Sequence, residues 1–373
     1  MKTRIFPFLL ALLFVMLASV ATAQDYYTFP EVREQAAAGW HQTYEAYGRQ
    51  IVIDVDPEIP DVEQVPIEKL VAVKREAPAA GEENGLIFDC VRPEDNLFGF
   101  CTPASAEELP KNIDSRPENG TALPRDWDRV YTLGSTLTLA GAIDVVRDGL
   151  TRAGLDAAEW DLEHPYQLRT FSYKDTKSKK VVLPGAYYMF FHQVINGIPL
   201  LNNAGDVFYH MAGGAIASRM SVWLSDQDSY DITAMIFKSE GRMAEDVPLC
   251  SFEKVKEAFE TEIQAGHIRK VYGLEFGYLY YEDTEDQYER YPGYYWTDHF
   301  YAIPAWQLTC LYMYDRNKEL PDYGSDGEAS NELAGLEYAM ITVDAQTGEL
   351  RDWMSEAKGR ENFKGFISWN DVR

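Results

Sequence analysis

Two periodicities run through the 373-residue chain. From Val181 to Asn203 it reads Val-Val-Leu-Pro-Gly-Ala-Tyr-Tyr-Met-Phe-Phe-His-Gln-Val-Ile-Asn-Gly-Ile-Pro-Leu-Leu-Asn-Asn. This aromatic and β-branched run, closed by Asn196-Gly197 and Pro199, predicts a long strand that stops at a tight turn. Ile51, Ile53 and Val55 alternate with Val52, Asp54 and Asp56, the pattern of a half-buried strand. Elsewhere the spacing is helical. Val32, Ala36, Trp40 and Tyr44 recur behind Pro30 and predict a helix from Pro30 to Tyr47, ended by Gly48. Thr138 stands as N-cap of a helix whose Leu139, Ile143, Val146 and Leu150 share a face. Ser251 caps another, Phe252 to Ala265, with Val255, Phe259 and Ile263 on its apolar side.

Strands are expected at Leu70 to Val73, Tyr166 to Tyr173, Val182 to Ile195, Gly205 to His210 and Ala215 to Leu224. Gly213-Gly214 joins the last two as a hairpin. After the Ser251 helix, strands fall at Ile268 to Glu282, Phe300 to Asp315, Leu336 to Val343 and Glu349 to Met354. The order helix, strand, strand, strand pair thus occurs twice, and the matched turn chemistry favours duplication. The segments Ala77 to Gly85 and Cys101 to Asp126, rich in turn-forming residues, are expected to be an exposed connector and a boundary loop. The fold class expected is α+β, with two tandem modules, 129–230 and 231–373, each a helix packed on an antiparallel sheet. A helix-strand extension, 24–128, precedes them.

The first residues change the picture of where the chain works. Lys2 and Arg4 precede an apolar run from Ile5 to Val20, then Ala21-Thr22-Ala23. That is the layout of a secretory signal peptide, 1–23, cleaved after Ala23; an uncleaved anchor is the alternative. No later apolar run is long enough to span, so no membrane association is expected after cleavage. The formal net charge is −26, and cleavage removes two further basic residues. Such a surface repels nucleic acid and anionic lipid headgroups. Four cysteines allow three pairings. Cys90 and Cys101 flank a short Pro/Gly/Asn segment that could close as a stapled loop, leaving Cys250 with Cys310; four reduced, buried thiols are the alternative.

No catalytic constellation stands out. His41, His164, His192, His210, His267 and His299 have no metal-ligand spacing, and no cofactor or metal is expected. His192 and His210 fall on neighbouring predicted strands. Ser251-Phe-Glu-Lys254 spells a serine-nucleophile motif, but a serine at a helix start is first an N-cap. Asp322 to Glu328 has a calcium-loop flavour but fails the register at Gly324 and Leu333. From Tyr280 to Tyr301, tyrosines alternate with carboxylates, including Tyr288, Tyr291, Tyr294, Tyr295 and Trp296. Such a loop can stack on sugars or cradle a basic peptide, or simply pack its rings on the sheet. Tyr188, His192, His210, Tyr291, Tyr294, Tyr295 and Trp296 are the candidate binding residues.

Two stretches resemble a known superfamily. Tyr338-Ala-Met-Ile-Thr-Val-Asp-Ala-Gln-Thr-Gly-Glu-Leu350 is similar to the closing hairpin of PepSY-like domains. His192-Gln-Val-Ile-Asn-Gly-Ile-Pro199, with Gly205-Asp-Val-Phe and Gly213-Gly-Ala-Ile, resembles the matching earlier strands. The superfamily includes propeptides of thermolysin-like peptidases and extracytoplasmic accessory proteins of cell-wall sensor kinases. The resemblance covers roughly Thr136 to Met354 and implies binding or regulation rather than catalysis. No peptidase follows, so action as a propeptide in cis is not expected. The expectation is a secreted, non-catalytic protein of the bacterial cell envelope that engages a protein or peptide at the cell surface. A glycosidase-like hydrolase using loop carboxylates is the alternative. In the turn itself, Asp344 is expected to accept backbone N–H groups two residues on, with Gly348 supplying a positive φ.

Overall fold

The structure, a computed structural model, describes residues 26–46, 48–73, 82–88, 97–104, 113–117, 137–165, 167–178, 180–201, 219–286, 288–291, 294–313, 336–350 and 365–372. The chain forms α1 (Phe29–Ala36), β1 (Trp40–Ala46), β2 (Arg49–Val55), β3 (Ile67–Ala72), β4 (Glu82–Glu83), β5 (Leu86–Ile87), β6 (Leu97–Cys101) and β7 (Ile113–Pro117). Next come α2 (Leu139–Arg152), β8 (Gln167–Asp175), β9 (Val181–His192), β10 (Val194–Ile195), β11 (Ile198–Pro199), β12 (Arg219–Asp226), β13 (Ser229–Met235) and β14 (Phe237–Ala244). The remainder is α3 (Phe252–Gln264), β15 (Ile268–Glu282), β16 (Tyr288–Tyr291), β17 (Tyr294–Trp296), β18 (His299–Met313), β19 (Leu336–Asp344) and α4 (Trp369–Val372). The class is α+β, with antiparallel strand pairing throughout these sheets.

Each of the two long helices covers one sheet. An eight-stranded sheet, β4-β5-β6-β13-β12-β9-β8-β7, carries α2. Alternation explains the contact: Tyr187, Met189 and Phe191 of β9 and Met220, Val222 and Leu224 of β12 are fully buried against Ala142, Val146 and Leu150. Leu139 and Ile143 pack at the margin of this core. Thr138 caps α2 by accepting the Gly141 N–H at 3.1 Å.

The second sheet runs β14-β3-β18-β15, with β19 also on β18. Phe252, Val255, Phe259 and Ile263 of α3 sink into its core, and Ser251 accepts the Lys254 N–H at 3.2 Å. The serine is a cap. One edge of β18 is shared: His299 to Ala302 pair with β3, and Ala305 to Met313 pair with β19. Pro304 falls in the gap, its carbonyl accepting the Ala345 N–H on that side. A missing N–H costs no ladder bond there. At the end of β19, Asp344 Oδ1 accepts the N–H groups of Gln346 and Thr347 at 2.8 and 3.1 Å, and Gly348 takes φ +70°.

Several expectations are corrected. The helix read from Pro30 to Tyr47 ends at Ala36, and Trp40–Ala46 is a strand paired with β2 across Gly48. Gly39, at φ +71°, stops the helix. Trp40 and Tyr44 are four apart and share a face in a strand as well as in a helix. Strands β13 and β14 occupy 229–244, where none was expected. The connector contains the strand piece β4 and the boundary loop contains β7, and residues 24–128 supply strands to both sheets.

Cys250 and Cys310 are free and buried, so they do not pair, and Cys101 is buried as well. Cys310 sits mid-sheet between Val271 and Ala339, while Cys250 precedes the α3 cap, its N–H bonded to Ala345. Burial pushes the Cys250 thiol up to about 12 and Cys310 well above the ordinary range, which makes both inert. Cys90, the expected signal segment, the expected Gly205–His210 strand, Gly213-Gly214 and residues 322–328 lie outside the described residues.

Candidate functional site

The stretch from His192 to Leu201 passes from one sheet to the other. At its start the Gln193 amide acts as a strand edge: Nε2 donates to the Phe237 carbonyl and Oε1 accepts the Phe237 N–H, both at 2.8 Å. Asn196 and Gly197 turn the β10–β11 hairpin with positive φ. Asn196 Nδ2 donates to Glu68 at 2.7 Å. Glu68, fully buried in β3, also accepts Ser239 Oγ at 2.5 Å and Arg242 Nε at 3.2 Å. Both carboxylate oxygens thereby have donors, which a buried carboxylate needs. The Leu201 N–H then bonds the Tyr278 carbonyl at 2.8 Å.

This junction leaves a cleft of about 770 Å³, within the usual range of small-ligand sites. Trp160, Leu162, Ile59, Pro199 and Phe276 give it apolar surface. Glu58, Asp161, Glu163 and Glu275 bring negative charge, set against Arg147, His164 and His192. Glu58 and Glu275 are parallel bridge partners: the Glu58 N–H bonds the Leu274 carbonyl, and the Phe276 N–H bonds the Glu58 carbonyl, each at 2.9 Å. His192, the buried last residue of β9, brings Nε2 within 3.3 Å of Glu275 Oε2.

Burial among the cleft walls, with the Glu275 charge next, raises the Glu58 carboxyl above its ordinary 4.5, against the pull of His164 and His192. Glu58 is nonetheless a solvent-exposed residue at the cleft mouth, so screening by water keeps the energy involved small. A carboxyl that holds its proton more tightly when folded contributes less to stability as pH rises from 4.5 through its raised pKa. Glu58→Gln is therefore expected to be more stable than the wild type at pH 7, by less than about 1 kcal/mol. The gap should close near pH 4, as urea titrations at the two pH values would show.

At the rim, Asp161 Oδ1 lies 2.9 Å from His164 Nδ1. That hydrogen bond is the main cause of a His164 pKa raised to about 9, opposed by burial. His164 is expected to stay protonated at pH 8 and, in Asp161→Asn, to titrate near the ordinary 6.5. Imidazole NMR titration reads this directly. Any stability it lends is complete below 6.5 and lost as pH rises through about 9.

Of the candidate residues read from sequence, His192 alone among those described lines this cleft. Tyr188 stands half-buried on the sheet face away from α2, 4.5 Å from Phe190 and 5.5 Å from Trp223 between ring centroids. His210 is outside the described residues. Tyr291, Tyr294, Tyr295 and Trp296 form the β16–β17 hairpin in the loop between β15 and β18. In that loop, Asp283 accepts the Tyr301 hydroxyl at 2.8 Å and faces Lys69 Nζ at 3.5 Å. Burial, with this hydrogen bond next, raises Tyr301 to about 12. Tyr280 and Tyr281 are core residues.

The cleft carboxylates Glu58 and Glu275 were missed. Glu58 lies between Pro57 and Pro60, which read only as a break, and Glu275 lies inside a strand. The available signal was a carboxylate flanked by Leu274 and Phe276. Among the described residues, no group of three or more His, Cys, Asp or Glu side chains has metal-binding geometry. No helix there is long and apolar enough to cross a membrane.

No family model matches the chain, and no curated protein matches it. Among solved structures it is similar to an uncharacterized protein from Eubacterium rectale, at 11% identity and a TM-score of 0.47, over 88% of this chain and 99% of that one.

Proposed function

We propose that the chain is an exported, PepSY-like binding protein of the bacterial cell envelope, taking a protein or peptide segment into the cleft between its two sheets. The observation that carries the reading is the cleft itself, an apolar and charged recess placed where the chain crosses between sheets. Such junctions are favoured ligand positions. The test uses fluorescently labelled short peptides of systematically varied sequence. Wild type should bind a subset of them, and Ala158→Trp, which places an indole on the cleft wall, should abolish that binding. Binding that persists in Ala158→Trp would move the site elsewhere.

A hydrolase is the second reading, favoured by the raised Glu58 carboxyl beside Glu275. Two carboxyls in unlike environments are what acid–base cleavage requires. These are not the loop carboxylates expected from sequence. Turnover of chromogenic glycosides by wild type, lost in both Glu58→Gln and Glu275→Gln, would establish this reading. Inert wild type would remove it.

A further inference from the structure

We infer that the cleft selects a basic side chain, the lysine ammonium or arginine guanidinium of an extended peptide, which it seats beside Glu58 with the aliphatic stem along the apolar wall. This rests on the binding reading above.

Three features lead to it. The first is how the charges inside the cleft are already committed. His164 is matched to Asp161, and His192 to Glu275. Arg147 turns its guanidinium to Asp144, 2.5 Å away on its own helix. Among the described residues, the Glu58 side chain makes no hydrogen bond or ion pair and feels His164 and His192 only at longer range, and Glu163 adds another carboxylate at the rim. The occupant that best completes this set is a cation.

The second feature is rigidity. The Glu58 backbone is bonded on both sides to β15, so its carboxylate emerges next to that of Glu275 without a flexible loop to reorganise. A fixed acceptor loses little entropy on binding. The third is the apolar wall: Trp160, Leu162 and Pro199 offer surface to methylenes while the charged end reaches the carboxylates, the usual division within lysine and arginine. The formal charge of −26 would draw such a partner in from solution.

The test is calorimetric titration of the full chain with an end-blocked Ala-Lys-Ala peptide and with its Nε-acetyl-lysine and norleucine counterparts. The lysine peptide should bind about tenfold or more tighter than either neutral peptide, as expected for one charge-assisted hydrogen bond. Glu58→Gln should erase most of that preference, and Glu58→Asp should restore part of it. Thermal melts confirm that each variant is folded. Equal affinity for all three peptides, still blocked by Ala158→Trp, would overturn the charge selection and leave the binding reading standing. No binding by any of the three would overturn both.

Discussion

Replacing Trp306 with alanine is expected to lower the unfolding free energy by about 3–5 kcal/mol. Trp306 is wholly buried in the middle of β18. Its ring lies 5.1 Å from Phe252 at the start of α3 and 5.1 Å from Phe276 on β15. It therefore joins the helix to the sheet, and truncation leaves a cavity whose walls are two other large rings. The indole N–H has no hydrogen-bond partner among the described residues. Trp306→Phe, which keeps most of the ring and removes that N–H, should therefore cost far less, below about 2 kcal/mol. Urea midpoints at unchanged m-value give both numbers. Equal losses for the two variants would show that the indole is not held by packing.

Gly277→Ala is expected to cost about 3 kcal/mol, the upper end of overpacking effects, and to deform the cleft. A Cβ at this position would overlap the Pro199 carbonyl oxygen and lie 2.7 Å from Leu201 Cγ. The Pro199 clash is with backbone, so no side-chain rotation relieves it. The β10–β11 hairpin must lift from β15, straining the Leu201–Tyr278 bond and moving Pro199 off the cleft wall. Denaturation measures the first effect. Loss of peptide binding in the still-folded fraction measures the second. An alanine variant as stable as wild type would mean that the two sheets are not joined as described.

The elements that could be read from sequence are those whose signal is local. Thr138 and Ser251 announce helices because a cap satisfies N–H groups within its own turn. Asp344 and Gly348 announce a turn for the same reason. Where one spacing serves two conformations, the reading failed. Trp40 and Tyr44 fit both a helical and a strand face, and Gly39 decided between them. Strand β14 is exposed along Lys238 to Met243, so it has no apolar alternation to detect. In β13, Tyr230, Ile232 and Ala234 do alternate, and that signal was present but unused.

The cleft was illegible because its parts come from distant segments. Glu58 meets Glu275 only through a strand bridge, and His192 meets Glu275 only across the two sheets. Cysteine spacing likewise carries no information on Cβ geometry, so Cys250 and Cys310 could be matched by count and yet lie unpaired. The stretch 192–201 was recognised as a strand ending in a turn. That it fastens two sheets together depends on Glu68, Phe237 and Tyr278, none of which it announces.

Hydrogen–deuterium exchange with and without the lysine peptide tests the central claim most directly. Protection is expected to concentrate at residues 58–60, 160–164 and 274–277, the segments that meet at the cleft. Protection confined to the 283–298 loop, with those three segments unchanged, would contradict it.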